Sequence, residues 1–94
     1  MGRCKKERCC RSIGDLRIFR PAGIPFQSID LIRIYADEFE AVRLCDYEGK
    51  NQIQAAEAMA VSRGTVQRLL KSGRKKITGA LLNGYALEMV SQTL

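Results

Sequence analysis

Histidine and tryptophan are both missing from the 94 residues, and proline occurs only twice. Without histidine the chain lacks the side chain that most often acts as general base near neutral pH, and the commonest metal ligand. No nucleophile–base pair is visible elsewhere, so the composition argues against an enzyme. Long apolar runs are also missing. None approaches the ~18 residues of a membrane span, and the basic N-terminus is not followed by the apolar stretch of a secretory signal. Four cysteines without an export signal are expected to stay reduced, which implies a cytoplasmic protein with no membrane partner.

Charge is present in excess of one sign: 16 Lys and Arg against 10 Asp and Glu, a net +6. Its distribution carries more than its sum. Residues 1–20 hold seven bases and two acids, a net +5, and residues 30–60 hold three bases and seven acids, a net −4. Residues 61–80 hold six bases (Arg63, Arg68, Lys71, Arg74, Lys75, Lys76) and no acid. A one-sided cationic segment beside an anionic one predicts a face for a polyanion and a face that is not one.

The fold class expected from the patterning is mostly α with a small N-terminal β-hairpin. Residues 1–12 have no hydrophobic period and read as a flexible basic arm. Residues 13–35 read as strand–loop–strand. The segments 13–19 and 29–35 carry the strand pattern, and Arg20-Pro21-Ala22-Gly23-Ile24-Pro25 forbids helix between them. Their pairing as an antiparallel hairpin is the expectation. Residues 36–84 read as helical, with acids Asp37, Glu38 and Glu40 in the first turn of the first helix. Phe39, Val42, Leu44 and Cys45 supply its apolar stripe, and Gly49 its stop. Asn51 and Gln54 form a capping box for a helix over 52–59. Ser62 caps a third helix from Arg63 to about Leu82, ended by Asn83-Gly84, with a fray or bend expected at Gly73. Residues 85–94 read as a C-terminal tail or a short terminal element.

The segment 52–71 fits a helix-turn-helix: two short helices, a tight turn, and a small residue, Ala56, where they cross. Ala55, Met59, Val61, Val66 and Leu69 fall at the buried positions. The outward face then holds Arg63, Gly64, Gln67, Arg68 and Lys71, with Thr65 at its edge. These residue types match the chemistry of duplex DNA. Arg reads guanine O6 and N7, Gln reads adenine N6 and N7, and Ser62, Thr65 and Lys71 suit phosphates. Arg74, Lys75 and Lys76 extend the cationic line along the backbone. Ala60 stands at the turn position usually held by glycine, where a positive φ would cost on the order of 1 kcal/mol. The expected function is sequence-specific binding of double-stranded DNA, as a transcriptional regulator, with a homodimer as a plausible state. Two other readings stay open. In one, the acidic first helix and strand 29–35 form a protein-interaction module. In the other, the thiols of Cys4, Cys9 and Cys10 hold zinc or sense redox state, although C-x4-C-C is not a zinc-ribbon spacing.

Several runs together resemble a known family: Phe19–Pro25, Ala36–Leu44, Gln54–Met59, Val61–Arg68, Arg74–Ile77 and Ala80–Gly84. The resemblance is to the small prokaryotic family called domain of unknown function 134, and it covers nearly the whole chain. Its helical part is similar to the DNA-binding region 4 of sigma-70 factors. The resemblance implies a helix-turn-helix of that type and a groove-facing role for Ser62, Arg63, Thr65, Gln67 and Arg68. Gly64 departs from the longer polar residue expected there, which removes one potential base contact.

Overall fold

A computed structural model describes residues 17–91. Most of them are helical, and a small sheet closes one end. In chain order the elements are β1 (Arg17–Phe19), β2 (Leu31–Tyr35), α1 (Ala36–Val42), α2 (Gln52–Met59), α3 (Arg63–Asn83) and β3 (Ala86–Val90). A 3-10 turn at Phe26–Ser28 lies in the proline-marked loop, and α1 continues into a π-helical turn over Arg43–Tyr47.

The expected hairpin does not form. The sheet order is β1-β3-β2, so the segment read as a tail or short terminal element supplies a strand that lies between the two N-terminal strands. β3 runs antiparallel to β1, pairing Phe19 with Leu87, and parallel to β2, pairing Ile34 with Met89. The physical reason lies in the loop. Eleven residues with two prolines separate β1 from β2, too many for a tight hairpin turn to fix their register. The reversal at Gly84, φ 73°, instead brings β3 back along α3 into the gap. Its entry is anchored by the Ala86 N–H donating to the Asp30 carbonyl at 2.8 Å. Residues 13–16 and 92–94 of the expected elements, and the arm over 1–12, lie outside the described residues.

α1 starts directly from β2. Its N-cap is Tyr35, and Glu38 folds back to accept the Tyr35 N–H at 3.0 Å. The caps of α2 and α3 fall where the residue types place them. The Asn51 Oδ1 accepts the Gln54 N–H at 2.8 Å, and the Gln54 Oε1 accepts the Asn51 N–H at 2.9 Å. The Ser62 Oγ accepts the Thr65 N–H at 3.2 Å. Between α2 and α3 the chain turns over residues 60–62, with Ala60 in the left-handed region at φ 59°.

Two apolar groups hold these elements. Ala41, Leu44, Ala55, Ala56, Met59, Val66, Leu69 and Leu70 form one cluster among α1, α2 and α3, with Val42, Cys45 and Val61 packed on it. Ile34, Ala86 and Met89 are buried at the sheet. α3 runs unbroken through Gly73, where a bend was expected. There α1 crosses so closely that a Cβ would lie 2.9 Å from the Val42 Cγ2 and 3.1 Å from the Glu38 carbonyl oxygen. Close approach, not flexibility, is what the missing side chain supplies.

Candidate nucleic-acid interface

The amino-terminal half of α3 is amphipathic. Val66, Leu69 and Leu70 face the core and are at most 3% exposed. The opposite stripe carries Arg63, Gly64, Gln67, Arg68, Lys71, Arg74 and Lys75, all exposed, with Ser62 exposed at the cap and Thr65 half-buried beside it. The residues singled out from the sequence therefore share one face, and that face stands clear of the molecule. No residue of the stripe is acidic.

Hydrogen bonds set several of these side chains. Thr65 Oγ1 lies 3.0 Å from Ser62 Oγ and accepts from Arg68 Nη2 at 3.3 Å, so cap and guanidinium share one chain of contacts. Arg63 Nη1 donates to the Gln52 Oε1 at 3.2 Å, which ties the start of α3 to the start of α2. Gly64 leaves a gap in the stripe. A Cβ there would find its nearest neighbours, Arg68 Nη1 and Ser62 Oγ, at 3.9 Å.

Further along the helix the cations are engaged by the protein. Arg74 grips Asp46 with two hydrogen bonds, Nε at 3.0 Å and Nη2 at 2.7 Å. This contact holds the Asp46 carboxyl below the usual carboxylate range and raises the Arg74 guanidinium above its own. Lys76 turns inward. Its Nζ donates to the buried Glu38 Oε1 at 2.7 Å and sits 4.8 Å from the Tyr35 ring centroid. Ser72 Oγ donates to the other Glu38 oxygen. The expectation that Lys76 follows a nucleic-acid backbone is therefore corrected: its charge neutralises a carboxylate inside the fold.

The acidic segment is dispersed in the same way. Asp37 and Glu38 are 0% exposed and Glu40 is 6% exposed, so α1 presents no acidic surface. Arg43 donates to Glu40 at 3.0 and 2.7 Å and also bonds Glu48. With these acids paired inward, the exposed cations of α3 are left facing outward. Sequence reasoning missed Gln52, Asp46 and Glu38 as organisers of this face. Their partners are 11, 28 and 38 positions away, and no local periodicity signals such contacts.

Cys4, Cys9 and Cys10, the candidate metal or redox thiols, lie outside the described residues. Cys45 is half-buried against the core, and burial, with Asp46 second, pushes its thiol pKa up. Among the described residues no three Cys, His, Asp or Glu side chains gather to hold a metal ion. Among them too, no helix is long and apolar enough to cross a membrane.

No solved structure matches the chain. Among curated proteins it is similar to a UPF0251 protein of Halothermothrix orenii, 46% identical over 87 residues, which are 93% of this chain and 64% of that relative. A UPF0251 protein of Shewanella putrefaciens is 41% identical over 93 residues, 99% of this chain and 95% of its own. One of Vibrio parahaemolyticus is 40% identical over 87 residues, 93% of this chain and 91% of its own. This chain thus spans a little under two thirds of the Halothermothrix relative and almost all of the Shewanella one. A family model matches residues 1–92, and the chain belongs to the family described as protein of unknown function DUF134.

Proposed function

We propose that this protein binds double-stranded DNA through α2 and α3, which act as a helix-turn-helix of the sigma-70 region 4 kind, and that it serves as a transcriptional regulator. The observation that carries the reading is the exposed, acid-free stripe at the amino end of α3, set off by a three-residue turn and held rigid from behind by Val66, Leu69 and Leu70. A helix entering the major groove amino end first presents these positions to base edges. Arg63, Gln67 and Arg68 are the base-reading candidates. Ser62, Thr65, Lys71 and Lys75 are the phosphate contacts, with Arg74 joining them when phosphate displaces Asp46. The gap at Gly64 lets the helix backbone approach the bases closely.

The test is fluorescence anisotropy with labelled duplexes at two salt concentrations, followed by selection from a random duplex pool. Affinity should fall steeply with salt, as phosphate neutralisation requires. Arg63→Ala and Arg68→Ala should each cost about 1–3 kcal/mol on the selected site and relax its sequence preference. Lys71→Ala and Lys75→Ala should weaken binding across all sequences and lower the salt slope by about one each. Failure to bind any duplex at low salt rejects the reading.

A further inference from the structure

The arginines of this fold differ in what their guanidinium groups touch. Arg33, Arg43 and Arg74 bond carboxylates, those of Glu88, Glu40 and Asp46. Arg63 and Arg68 bond neutral oxygens, the Gln52 Oε1 and the Thr65 Oγ1. A carboxylate holds a guanidinium and cancels its charge. A hydroxyl or amide oxygen holds it and leaves the charge whole.

Two features meet at Arg68. Its Nη2 donates to the Thr65 Oγ1 at 3.3 Å, three residues back on the same side of α3. Thr65 is half-buried, and its Oγ1 lies 3.0 Å from the Ser62 Oγ, which accepts the Thr65 N–H at 3.2 Å. The acceptor is therefore fixed by the cap of the helix. The second feature is Gly64. A Cβ there would lie 3.9 Å from the Arg68 Nη1, so the guanidinium has folded back about one turn toward the amino end. It lies beside space that a longer side chain at position 64 would fill. The helix dipole does not place it there, because the amino end of a helix repels a cation.

We infer that, within the duplex binding proposed above and resting on it, Thr65 is the positioning residue for guanine recognition: it holds Arg68 beside the gap at Gly64, so that Arg68 reads the base residue 64 would otherwise meet. Guanine presents O6 and N7 as a pair of acceptors. Of the five N–H donors of Arg68 one is given to Thr65, and a two-pronged contact needs two more. Ser62 and Thr65 spend one hydroxyl proton between their oxygens and keep the other for a phosphate, so positioning does not compete with backbone contact. An arginine free to rotate loses about 2- to 12-fold in affinity when a complex immobilises it. Arg68 has met part of that cost before docking.

The test pairs variants with bases. A site is selected from a random duplex pool with the unsubstituted protein. The guanine whose preference over adenine disappears in Arg68→Ala marks the base that Arg68 reads. Fluorescence anisotropy then gives the ratio of affinities for that site and for the same duplex with adenine at that position. Thr65→Val keeps the branched shape and the capped N–H but loses the acceptor, and should lower the ratio about 2- to 12-fold. Thr65→Ser should retain it. Gly64→Gln, which fills the gap and leaves the Thr65 hydroxyl in place, should lower it too. In an Arg68→Ala background Thr65→Val should leave the ratio unchanged, since the two act as one unit. Thermal melts confirm that each variant is folded, and the ratio cancels any general loss of affinity. An unchanged ratio in Thr65→Val, or a selected site with no guanine that depends on Arg68, overturns the positioning role and leaves duplex binding standing. Failure of the unsubstituted protein to bind any duplex overturns both.

Discussion

Ala60 holds a backbone conformation, φ 59° and ψ 44°, that a β-carbon makes costly, and its place between α2 and α3 gives it no alternative. The left-handed turn lets the Ala60 N–H reach the Glu57 carbonyl and the Val61 N–H reach the Ala56 carbonyl. Replacing the side chain by hydrogen removes a strain of about 1–2 kcal/mol, and the extra freedom of glycine in the unfolded chain returns part of it. Ala60→Gly is therefore expected to stabilise by about 0.5–1 kcal/mol, seen as a melting temperature raised by about 4 °C. The reverse case is Gly73. Helix propensity alone predicts a gain of about 1 kcal/mol for alanine there. The added Cβ would meet Val42 at 2.9 Å and the Glu38 carbonyl at 3.1 Å, and backbone on α1 cannot move aside without opening the core. Overpacking of this kind costs about 1–3 kcal/mol, so Gly73→Ala should lower the urea midpoint. Gly79→Ala, with nothing within 4 Å of its Cβ, should raise it.

At the level of elements, α1 and α3 are joined by one buried carboxylate. Glu38 accepts from the Tyr35 N–H, the Lys76 ammonium and the Ser72 hydroxyl, so a single side chain caps α1 and clamps α3 to it. The Lys76 side chain is 25% exposed and that of Glu38 0%. Lys76→Met keeps the apolar stem and removes the charge, leaving the carboxylate buried without its cation. Breaking a buried pair from one side costs about 3–5 kcal/mol. The partial exposure of Lys76 puts the expected loss near the lower end of that range, about 3 kcal/mol by urea denaturation. Glu38→Gln, which retains hydrogen bonding and frees the ammonium toward solvent, should cost less. This clamp also marks the boundary of what the sequence made legible. Asn51, Gln54 and Ser62 announced their caps because a cap is a contact three residues long. The burial of Val66 and Leu69 on α3 followed likewise from the helical period, and the structure adds Leu70 beside them. The Glu38–Lys76 and Asp46–Arg74 contacts, and the insertion of β3 between β1 and β2, join residues 28 to about 70 positions apart. Only the assembled fold supplies those partners. The same limit explains why the acids of α1 looked like a surface while Asp37, Glu38 and Glu40 are buried.

Across the whole molecule, the sheet and the helical cluster are separate apolar groups linked by α1 and α3. The helical cluster contains no residue of β1, β2 or β3, whereas Ile34 and Met89 meet across β2 and β3. The amino end of α3 is supported by the first group alone, since Val66, Leu69 and Leu70 pack on Ala41, Leu44, Ala55, Ala56 and Met59. Stability and the geometry of the cationic face should therefore come apart under the right substitution. Met89→Ala deletes a side chain 5% exposed from the central strand, and a cavity of that kind costs about 2–5 kcal/mol. The urea midpoint should fall accordingly. At a temperature where the variant is still folded by circular dichroism, its affinity for duplex DNA should match that of the unsubstituted protein within about twofold, a difference of only about 0.4 kcal/mol. Met59→Ala is the counterpart, a truncation of comparable size inside the helical cluster. It removes support for the crossing of α2 and α3 and should weaken both stability and binding. Equal loss of affinity in the two variants would mean that the sheet and the helices form a single cooperative body, with the orientation of α3 set from both ends.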